Sequence, residues 1–322
     1  MAFNTPVLFL IYNRPDTTIQ VFEQIRKIKP GHLYVVADGP RKDKLGEKEK
    51  TDEVRNIVLA GIDWQCEVKT LFRDENLGCG KSVSGAIDWF FENVEEGIIL
   101  EDDTLPDLSF FNFCEIQLKR YASTKNIKII SGNNFQNNII RGDGSYYFSK
   151  YVHIWGWATW KRTWQSYDFD LQEWMSCNIK KRRELFTIEK EYNYWNNIFD
   201  LAAKKEIDTW DYQLFYLSLI TNGINVMPNK NLVVNIGFSQ DSTHTKTPNH
   251  KLANLNMFAY DQDIIPSKMK ADDEADSYTF YNVYSEPFLP VGKRKSIYLL
   301  FMRIIRKPYE TLRNLIKNKG NE

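Results

Sequence analysis

The sequence of 322 residues predicts an α/β fold with a mostly parallel central sheet flanked by helices. Short apolar runs of strand length alternate with amphipathic stretches of helix length, and continuous apolar runs are typical of strands buried on both faces. The hydrophobic content of 43% is sufficient for a substantial core. The fourth run ends in three consecutive acids, which a buried strand does not explain.

The first two strands set the direction of the sheet. Residues 7–12 and 33–37 are apolar runs, and the segment between them carries apolar side chains at helical spacing up to Pro30. A strand, a helix of about a dozen residues and a second strand form a right-handed βαβ unit, so the two strands are expected to be parallel.

The same alternation continues along the chain. Further helices are predicted over 51–60, about 81–93, 110–121 and from 208–213 through 220, and further strands over 66–72, 97–100, 127–131 and 226–234. At residues 132–134 polar and aromatic residues replace aliphatic ones, and the segment 153–164 holds four of the nine tryptophans. The second half is therefore expected to have a different role from the first.

The acids Glu101, Asp102 and Asp103 close the fourth predicted strand. Adjacent carboxylates are costly to desolvate unless a cation or hydrogen-bond donors meet them. One interpretation is a solvated acidic turn. The other is a site for a hard divalent cation, which takes carboxylate oxygens together with substrate phosphate oxygens.

Other polar residues are expected at the same edge of the sheet, because ligands of such sheets bind beyond the carboxyl ends of the strands. These residues are Asn13, Arg14, Asp38 and Arg73.

The stretch Leu77-Gly78-Cys79-Gly80-Lys81-Ser82 imitates the end of a phosphate-binding P-loop. The complete pattern needs a glycine five residues before Gly80, and that position is Glu75. A P-loop is therefore not predicted, although Lys81 in the first turn of a helix could still attract a diphosphate.

Aromatic and acidic residues of the second half have two interpretations each. Trp157, Trp160 and Trp164 recur at helical spacing and suit a core, whereas Trp155-Gly156 suits a wall on which a sugar ring stacks. Asp211, after Trp210, is either a first-turn helix acid or a functional carboxylate. His244 is either a solvated loop residue or a site residue.

Taken in order, these motifs resemble GT-A fold glycosyltransferases. The likeness is greatest to bacterial nucleotide-diphospho-sugar transferases, and more distant to the N-acetylglucosaminyltransferase I type, which also carries Glu-Asp-Asp. It covers roughly residues 5–250. It implies a Rossmann-like nucleotide-sugar-binding half (1–131), an acceptor-side and catalytic half of the same domain (132–290), and a basic amphipathic tail (291–322).

The resemblance assigns roles by position. Asp103 would hold Mn²⁺ or Mg²⁺ on the nucleotide diphosphate, Glu101 and Asp102 would contact the donor sugar and ribose, and Asp38 would accept a hydrogen bond from a uracil edge. Asp211 would be the catalytic base. The remaining donor contacts are expected from Asn13, Arg14, Arg73, Lys81, Trp155, Gly156 and Trp210.

His244 would lie near the metal or the phosphates. One departure concerns the helix before the acidic strand, where the N-acetylglucosaminyltransferase I type has a histidine and this sequence has Gly80-Lys81. The identity of the donor sugar is accordingly left open.

The expected activity is an inverting, metal-dependent glycosyl transfer from a nucleotide-diphosphate sugar, with a UDP-sugar favoured. The acceptor would be a hydroxyl of a glycan or lipid-linked molecule, in bacterial surface polysaccharide or glycolipid synthesis. The alternatives are a sugar nucleotidyltransferase and a non-catalytic nucleotide-sugar-binding or carbohydrate-binding protein on the same fold. No nucleic-acid partner is expected.

The charge of the chain is asymmetric although its formal net charge is zero. From Gly292 onward nine Lys and Arg stand against Glu310 and Glu322, which gives this tail +7 and the remainder −7. An amphipathic tail of this kind is expected either to contact a membrane surface or to pack as an ordinary helix. Four scattered cysteines and the absence of a signal-peptide pattern favour the cytoplasm, with the inner face of the membrane as a possible location.

Overall fold

The computed structural model describes residues 3–238, 252–253 and 255–285. Its first part alternates strands and helices as predicted. The elements in order are β1 (Val7–Ile11), α1 (Pro15–Ile28), β2 (His32–Ala37), α2 (Glu47–Gly61), β3 (Glu67–Phe72), α3 (Cys79–Asn93) and β4 (Glu96–Glu101). All four strands are parallel, which confirms the βαβ prediction.

The second part is more irregular. Its elements are β5 (Thr104–Pro106), α4 (Leu108–Tyr121), β6 (Ile127–Ser131), β7 (Tyr146–Ser149), β8 (Trp157–Trp160), α5 (Lys161–Trp164), α6 (Gln172–Ser176), α7 (Ile179–Glu184), α8 (Glu189–Ala203), α9 (Asp211–Ile220), β9 (Ile224–Pro228), β10 (Val233–Asn235) and α10 (Asp273–Thr279). A π-helical turn, Phe280–Tyr284, follows α10.

The strands form one eight-stranded sheet in the order β3-β2-β1-β4-β8-β6-β9-β7, and β5 pairs with β10 in a separate ribbon. Only β7 and β8 run against the other six strands of the large sheet. The predicted class, an α/β fold with a mostly parallel central sheet flanked by helices, is confirmed. The boundary predicted at 131/132 falls directly after β6, inside this sheet.

Strand β8 differs from the sequence expectation, because Trp157 and Trp160 suggested helical spacing. The strand inserts between β4 and β6, where Ala158 pairs with Ile98 on one side and Ile130 on the other. All four residues of β8 are buried. Because side chains on both faces of β8 are buried, the strand has no polar face, and its sequence does not show the alternation that marks a half-buried strand.

The single strand predicted over 226–234 is two strands. Pro228 ends β9, and the side chains of Asn229 and Asn231 then bind backbone groups elsewhere. Asn229 Nδ2 donates to the carbonyl of Arg141 at 2.8 Å, and Asn231 Oδ1 accepts from the N–H of Asn134 at 2.8 Å. These buried amides redirect the chain from the large sheet into the ribbon with β5.

The carboxyl ends of β1, β2, β3 and β4 lie along one edge of the sheet, and the antiparallel β8 begins at the same edge. Among the described residues, no helix is long and apolar enough to cross a membrane. The predicted tail, 291–322, lies outside the described residues.

Candidate active site

The acidic residues that follow β4 are fixed by a tight turn. The Thr104 hydroxyl accepts the N–H of Glu101 at 2.9 Å and donates to the Glu101 carbonyl at 3.0 Å. Beyond β10, the N–H of Ile236 donates to the carbonyl of Asp103 at 2.8 Å. The three acids are therefore enclosed between the end of the central strand and the segment after β10.

Asp102 is turned into the protein. Its side chain is buried, and Oδ2 accepts the backbone N–H of Tyr12 at 2.9 Å. Burial raises the pKa of Asp102 to about 7, and the charge of Asp103 adds to this shift. We expected Asp102 to contact the donor, but in the structure its side chain connects the end of β4 to the end of β1.

Asp103 faces the opposite way and is more accessible. Its Oδ2 accepts from Arg14 Nη1 at 2.6 Å, and its Oδ1 accepts from Asn235 Nδ2 at 3.3 Å. Gly237 lies so close that a Cβ at that position would be 2.2 Å from Asp103 Oδ2 and 2.9 Å from Arg14 Nη1. Arg14 and the segment after β10, where we expected a site loop, thus meet at Asp103.

Asp211 lies close enough to Glu101 for its negative charge to raise the pKa of Glu101. Burial raises the pKa of Glu101 well above its usual value, and the negative charges of Asp103, Asp102 and Asp211 raise it further. Asp211 is the first residue of α9, and its Oδ1 accepts a hydrogen bond from the Thr209 hydroxyl. The fold therefore brings Asp211 to acids that lie more than 100 residues earlier in the sequence.

Asp208 is a residue that the sequence reasoning missed. Its two carboxylate oxygens accept the N–H groups of Cys79 and Gly80, each at 2.8 Å, at the start of α3. Lys81 is exposed one residue further along this helix. Because Asp208 engages these N–H groups, a diphosphate attracted by Lys81 would bind beside the helix start and not on it.

Asp38 stabilises a turn of its own chain. Its Oδ2 accepts from Asn76 Nδ2 at 3.0 Å, and both oxygens lie within 3.2 Å of the N–H of Leu77. Burial raises the pKa of Asp38. The uracil contact expected from this carboxylate would thus have to compete with the 76–77 turn.

Arg73 lies along the first turns of α3, where its Nη1 donates to Ser82 Oγ at 3.1 Å. Burial lowers the pKa of its guanidinium. The side chain is half-buried beside the turn that Asp38 binds.

A second missed residue, Glu47, organises the neighbouring rim. Glu47 precedes the helix predicted over 51–60 but is the buried first residue of α2. Its carboxylate accepts from the Tyr12 hydroxyl at 2.7 Å, from Asn13 Nδ2 at 3.0 Å and from the Arg41 N–H at 2.7 Å. Asn13, expected to contact the nucleotide, is directed toward Glu47 instead.

Trp155 and Gly156 lie at the start of β8, on the rim. Trp155 packs edge-on against Phe135 and Phe238, with ring centroids 5.1 and 5.7 Å apart. Gly156 has φ +63°, and a Cβ there would be 2.9 Å from Val233. The glycine is thus explained by its backbone conformation and by packing, without a sugar ring.

Trp210 is a core residue and not an exposed wall. Only 3% of it is accessible, and its ring stacks on Trp157 at 5.7 Å. Its carbonyl accepts from the Tyr167 hydroxyl at 2.9 Å. The expected donor contact through the Trp210 side chain is therefore replaced by a structural role beside Asp211.

His153 is a buried histidine near Trp155 that the sequence reasoning did not single out. Burial lowers its pKa to about 3, so the imidazole is neutral at physiological pH. Its ring packs edge-on against Phe135 at 4.6 Å. His244 lies outside the described residues, and so does the loop around it, 239–250.

A metal ion would have to take part of its ligands from substrate. Within the described ranges, no group of three or more His, Cys, Asp or Glu side chains is arranged to hold a metal ion. The acids that are present nevertheless offer hard oxygen ligands, and beside burial the negative charges of Asp103, Asp102 and Asp211 raise the pKa of Glu101. One or two carboxylates completed by phosphate oxygens fit Mg²⁺ or Mn²⁺.

Comparison with known proteins gives distant structural similarities alone. No family model and no curated protein matches the sequence. Mouse xyloside xylosyltransferase 1 in its apo form matches at 10% identity and a TM-score of 0.34, over 68% of this chain and 82% of that one. HddC from Yersinia pseudotuberculosis matches at 12% identity and 0.32, over 54% and 87%.

UDP-glucose pyrophosphorylase complexed with UDP-glucose matches at 12% identity and a TM-score of 0.28, over 51% of this chain and 71% of that one. Similarities this distant do not identify the activity of the chain. Its function has to be argued from its own residues.

Proposed function

We propose that the chain is an inverting, metal-dependent glycosyltransferase that uses a nucleotide-diphosphate sugar, with a UDP-sugar favoured. The donor would occupy the edge of the sheet where β1 to β4 end. The acceptor would be a hydroxyl of a glycan or lipid-linked molecule. Bacterial surface polysaccharide or glycolipid synthesis is the process that we propose for it.

The convergence of Asp211 and Asp103 on Glu101 carries this proposal. The charges of Asp211 and Asp103 both act on Glu101, and Asp103 is more accessible than the buried Asp102. Structural stability alone does not require several carboxylates close together in a half-buried space, because desolvation and mutual repulsion of negative charges are destabilising. Such an arrangement suits a site that binds a cation and works on a bound substrate.

Asp103 is the residue that would hold the cation. It combines accessibility with a position just after the central strand, and within the described ranges its Oδ1 accepts one hydrogen bond, from Asn235 Nδ2 at 3.3 Å. Arg14 already neutralises part of the charge and could also contact a phosphate. When bound, a divalent cation supplies Lewis-acid stabilisation of the leaving diphosphate.

Asp211 would act as the general base. An acceptor hydroxyl loses its proton as it attacks the anomeric carbon, and a positioned carboxylate accepts that proton. The Thr209 hydroxyl orients Asp211 at the start of α9. If the base and the leaving group lie on opposite faces of the sugar, a single displacement inverts the anomeric configuration.

The short connection between β1 and α1 disfavours a sugar nucleotidyltransferase. Such an enzyme usually carries a glycine-rich, basic loop after its first strand. Here β1 ends at Ile11 and α1 begins at Pro15, so only three residues connect them. The non-catalytic alternative would keep nucleotide binding and lack turnover, and the assay below separates it from a transferase.

A panel of nucleotide sugars tests the proposal. The wild-type protein is incubated with UDP-, GDP-, CDP- and dTDP-sugars and Mn²⁺, and release of the nucleoside diphosphate is measured with and without EDTA. We expect release from a UDP-sugar that EDTA abolishes. Metal-dependent binding without release would support the non-catalytic alternative, and neither binding nor release would refute the proposal.

A further inference from the structure

The glycine-rich start of α3 receives a carboxylate of the same chain. Gly78 has φ +81°, and a Cβ there would lie 2.7 Å from Asp208 Oδ2. At Gly80 a Cβ would lie 2.8 Å from Asp208 Oδ1 and 2.8 Å from the carbonyl oxygen of Thr209. The two glycines therefore make the space into which residues 208 and 209 fit. The P-loop-like sequence has a structural explanation that involves no phosphate.

The contact at this helix start is strong and specific. Both oxygens of Asp208 are used, one by the N–H of Cys79 and one by the N–H of Gly80, at 2.8 Å each. Hydrogen bonds to an ionised carboxylate are stronger than neutral ones, and a helix N-terminus favours negative charge. Nearly 130 residues separate the partners, so the contact joins two distant parts of the fold.

The segment that begins with Asp208 leads directly to Asp211. Thr209 donates its hydroxyl to Asp211, and Trp210 is anchored by stacking on Trp157 and by the Tyr167 hydroxyl. The Cys79 thiol lies near both carboxylates. Burial raises the pKa of this thiol, and the negative charges of Glu101, Asp208 and Asp211 raise it further. Both carboxylates are thus close to the same helix start.

We propose that Asp208 is a positioning residue that fixes Asp211 against Glu101 and Asp103. By binding the start of α3, which follows the turn that Asp38 binds, Asp208 sets the distance between the donor side of the site and α9. Because it acts through Asp211, this role rests on the proposed function. Asp208 itself would not contact the substrate.

The test removes the contact from each of its two sides. Asp208→Ala deletes the carboxylate, Asp208→Asn keeps one acceptor oxygen, and Gly80→Ala displaces the carboxylate without changing its charge. Misplacement of a reacting group by about 1 Å can cost about 10²-fold in rate. We expect kcat for transfer or donor hydrolysis to fall about 10²-fold in Asp208→Ala and Gly80→Ala, and less in Asp208→Asn. The KM for the donor should change less than kcat.

A double-mutant cycle separates positioning from general damage. The Asp208→Ala/Gly80→Ala double variant should lose no more activity than either single variant, because both remove one contact. The control is Asp272→Ala, which deletes the carboxylate that caps α10 through the N–H of Ala275. It should lower stability and leave kcat unchanged.

Two results would overturn the role of Asp208. One is Asp208→Asn with wild-type kcat, and the other is a fall in kcat that Asp272→Ala reproduces. Asp208→Asn keeps the test decisive if the alanine variants do not fold. An inactive wild-type protein would count against the proposed transferase instead, so the two failures are distinguishable.

Discussion

Arg14 Nη1 lies 2.6 Å from Asp103 Oδ2, although the two residues are 89 positions apart in the sequence. The pair joins the loop after β1 to the acids after β4. Burial opposes the charge on Arg14, but the carboxylates of Asp103, Asp102 and Glu101 together raise its pKa. Arg14 thus supplies positive charge from the protein itself beside these acids.

Replacing Arg14 should therefore change metal binding and nucleotide binding in opposite directions. In Arg14→Gln, Mn²⁺ alone should bind more tightly, because a competing cation is removed. UDP in saturating Mn²⁺ should bind about 10- to 100-fold more weakly, since a charge-assisted hydrogen bond is worth about 1.5–3 kcal/mol. Isothermal titration calorimetry measures both affinities.

Arg26→Gln is the matched control for this experiment. Arg26 is an arginine of α1 that pairs with the exposed Asp63. Its replacement should change neither affinity. Unaltered UDP binding in Arg14→Gln would show that Arg14 does not contact the nucleotide.

Gly237 should be intolerant of a side chain because of its position against Asp103. In Gly237→Ala the new Cβ would lie 2.2 Å from Asp103 Oδ2, so the Arg14–Asp103 pair must move. We expect Mn²⁺-dependent UDP affinity to fall at least severalfold. The control is Gly31→Ala, where an added Cβ meets its neighbours at 3.7 Å or more. Equal UDP affinities in the two variants would contradict the placement of Asp103 in the site.

Asp102 and Asp103 should differ in their effects on stability. Asp102→Ala leaves the part-buried N–H of Tyr12 without its acceptor, which costs about 1–3 kcal/mol. Asp103→Ala breaks the ion pair with Arg14, but both side chains are partly exposed and Asp102 and Glu101 keep negative charge near the arginine, so it should cost less. Urea unfolding is compared at pH 4, because the raised pKa of Asp102 makes its ionised form unfavourable in the folded protein at higher pH, and a larger loss in Asp103→Ala would contradict the assigned orientations.

Glu47 should make stability depend on acidic pH. Burial alone would raise its pKa, but hydrogen bonds from Arg41 and Tyr12 lower it to about 2, below the usual 4.5. A carboxyl whose pKa is lower in the folded state stabilises the protein above its unfolded pKa, and this stabilisation is lost as pH falls from about 4.5 to about 2.

Glu47→Gln should therefore be destabilised by about 2 kcal/mol at pH 7, and its difference from wild type should shrink at pH 3. Glu49→Gln changes an exposed carboxylate of the same helix and is the control. Urea unfolding of the three proteins at both pH values gives the comparison. A difference that is the same at pH 7 and pH 3 would contradict this account of Glu47.

Local patterns predicted most of the first half of the fold. The sequences of β1, β2 and β4 are continuous apolar runs of strand length, and segments with helical spacing of apolar residues separate them. The opposite orientations of Asp102 and Asp103 could not be predicted in this way, because the two residues form a turn after β4 and the alternation of an extended strand does not apply to them.

Long-range contacts were beyond these patterns. Gly78 and Gly80 indicated a close approach at the start of α3, but nothing local identified Asp208 as the group that approaches. Glu47 is one acid among several charged neighbours, and its burial depends on Tyr12 and Arg41 meeting it in space. Strand β8 was missed because tryptophans at positions 157, 160 and 164 imitate one face of a helix.

The most direct test of the account compares binding and turnover in Asp103→Asn and Asp211→Asn, with Asp52→Asn, a partly exposed carboxylate that pairs with Lys48, as control. Binding of a UDP-sugar with Mn²⁺ is measured by calorimetry, and release of UDP is measured on the same preparations. We predict that Asp103→Asn loses metal-dependent binding, whereas Asp211→Asn binds as wild type and turns over about 10²- to 10⁴-fold more slowly. Wild-type turnover in Asp211→Asn, or wild-type metal-dependent binding in Asp103→Asn, would contradict it.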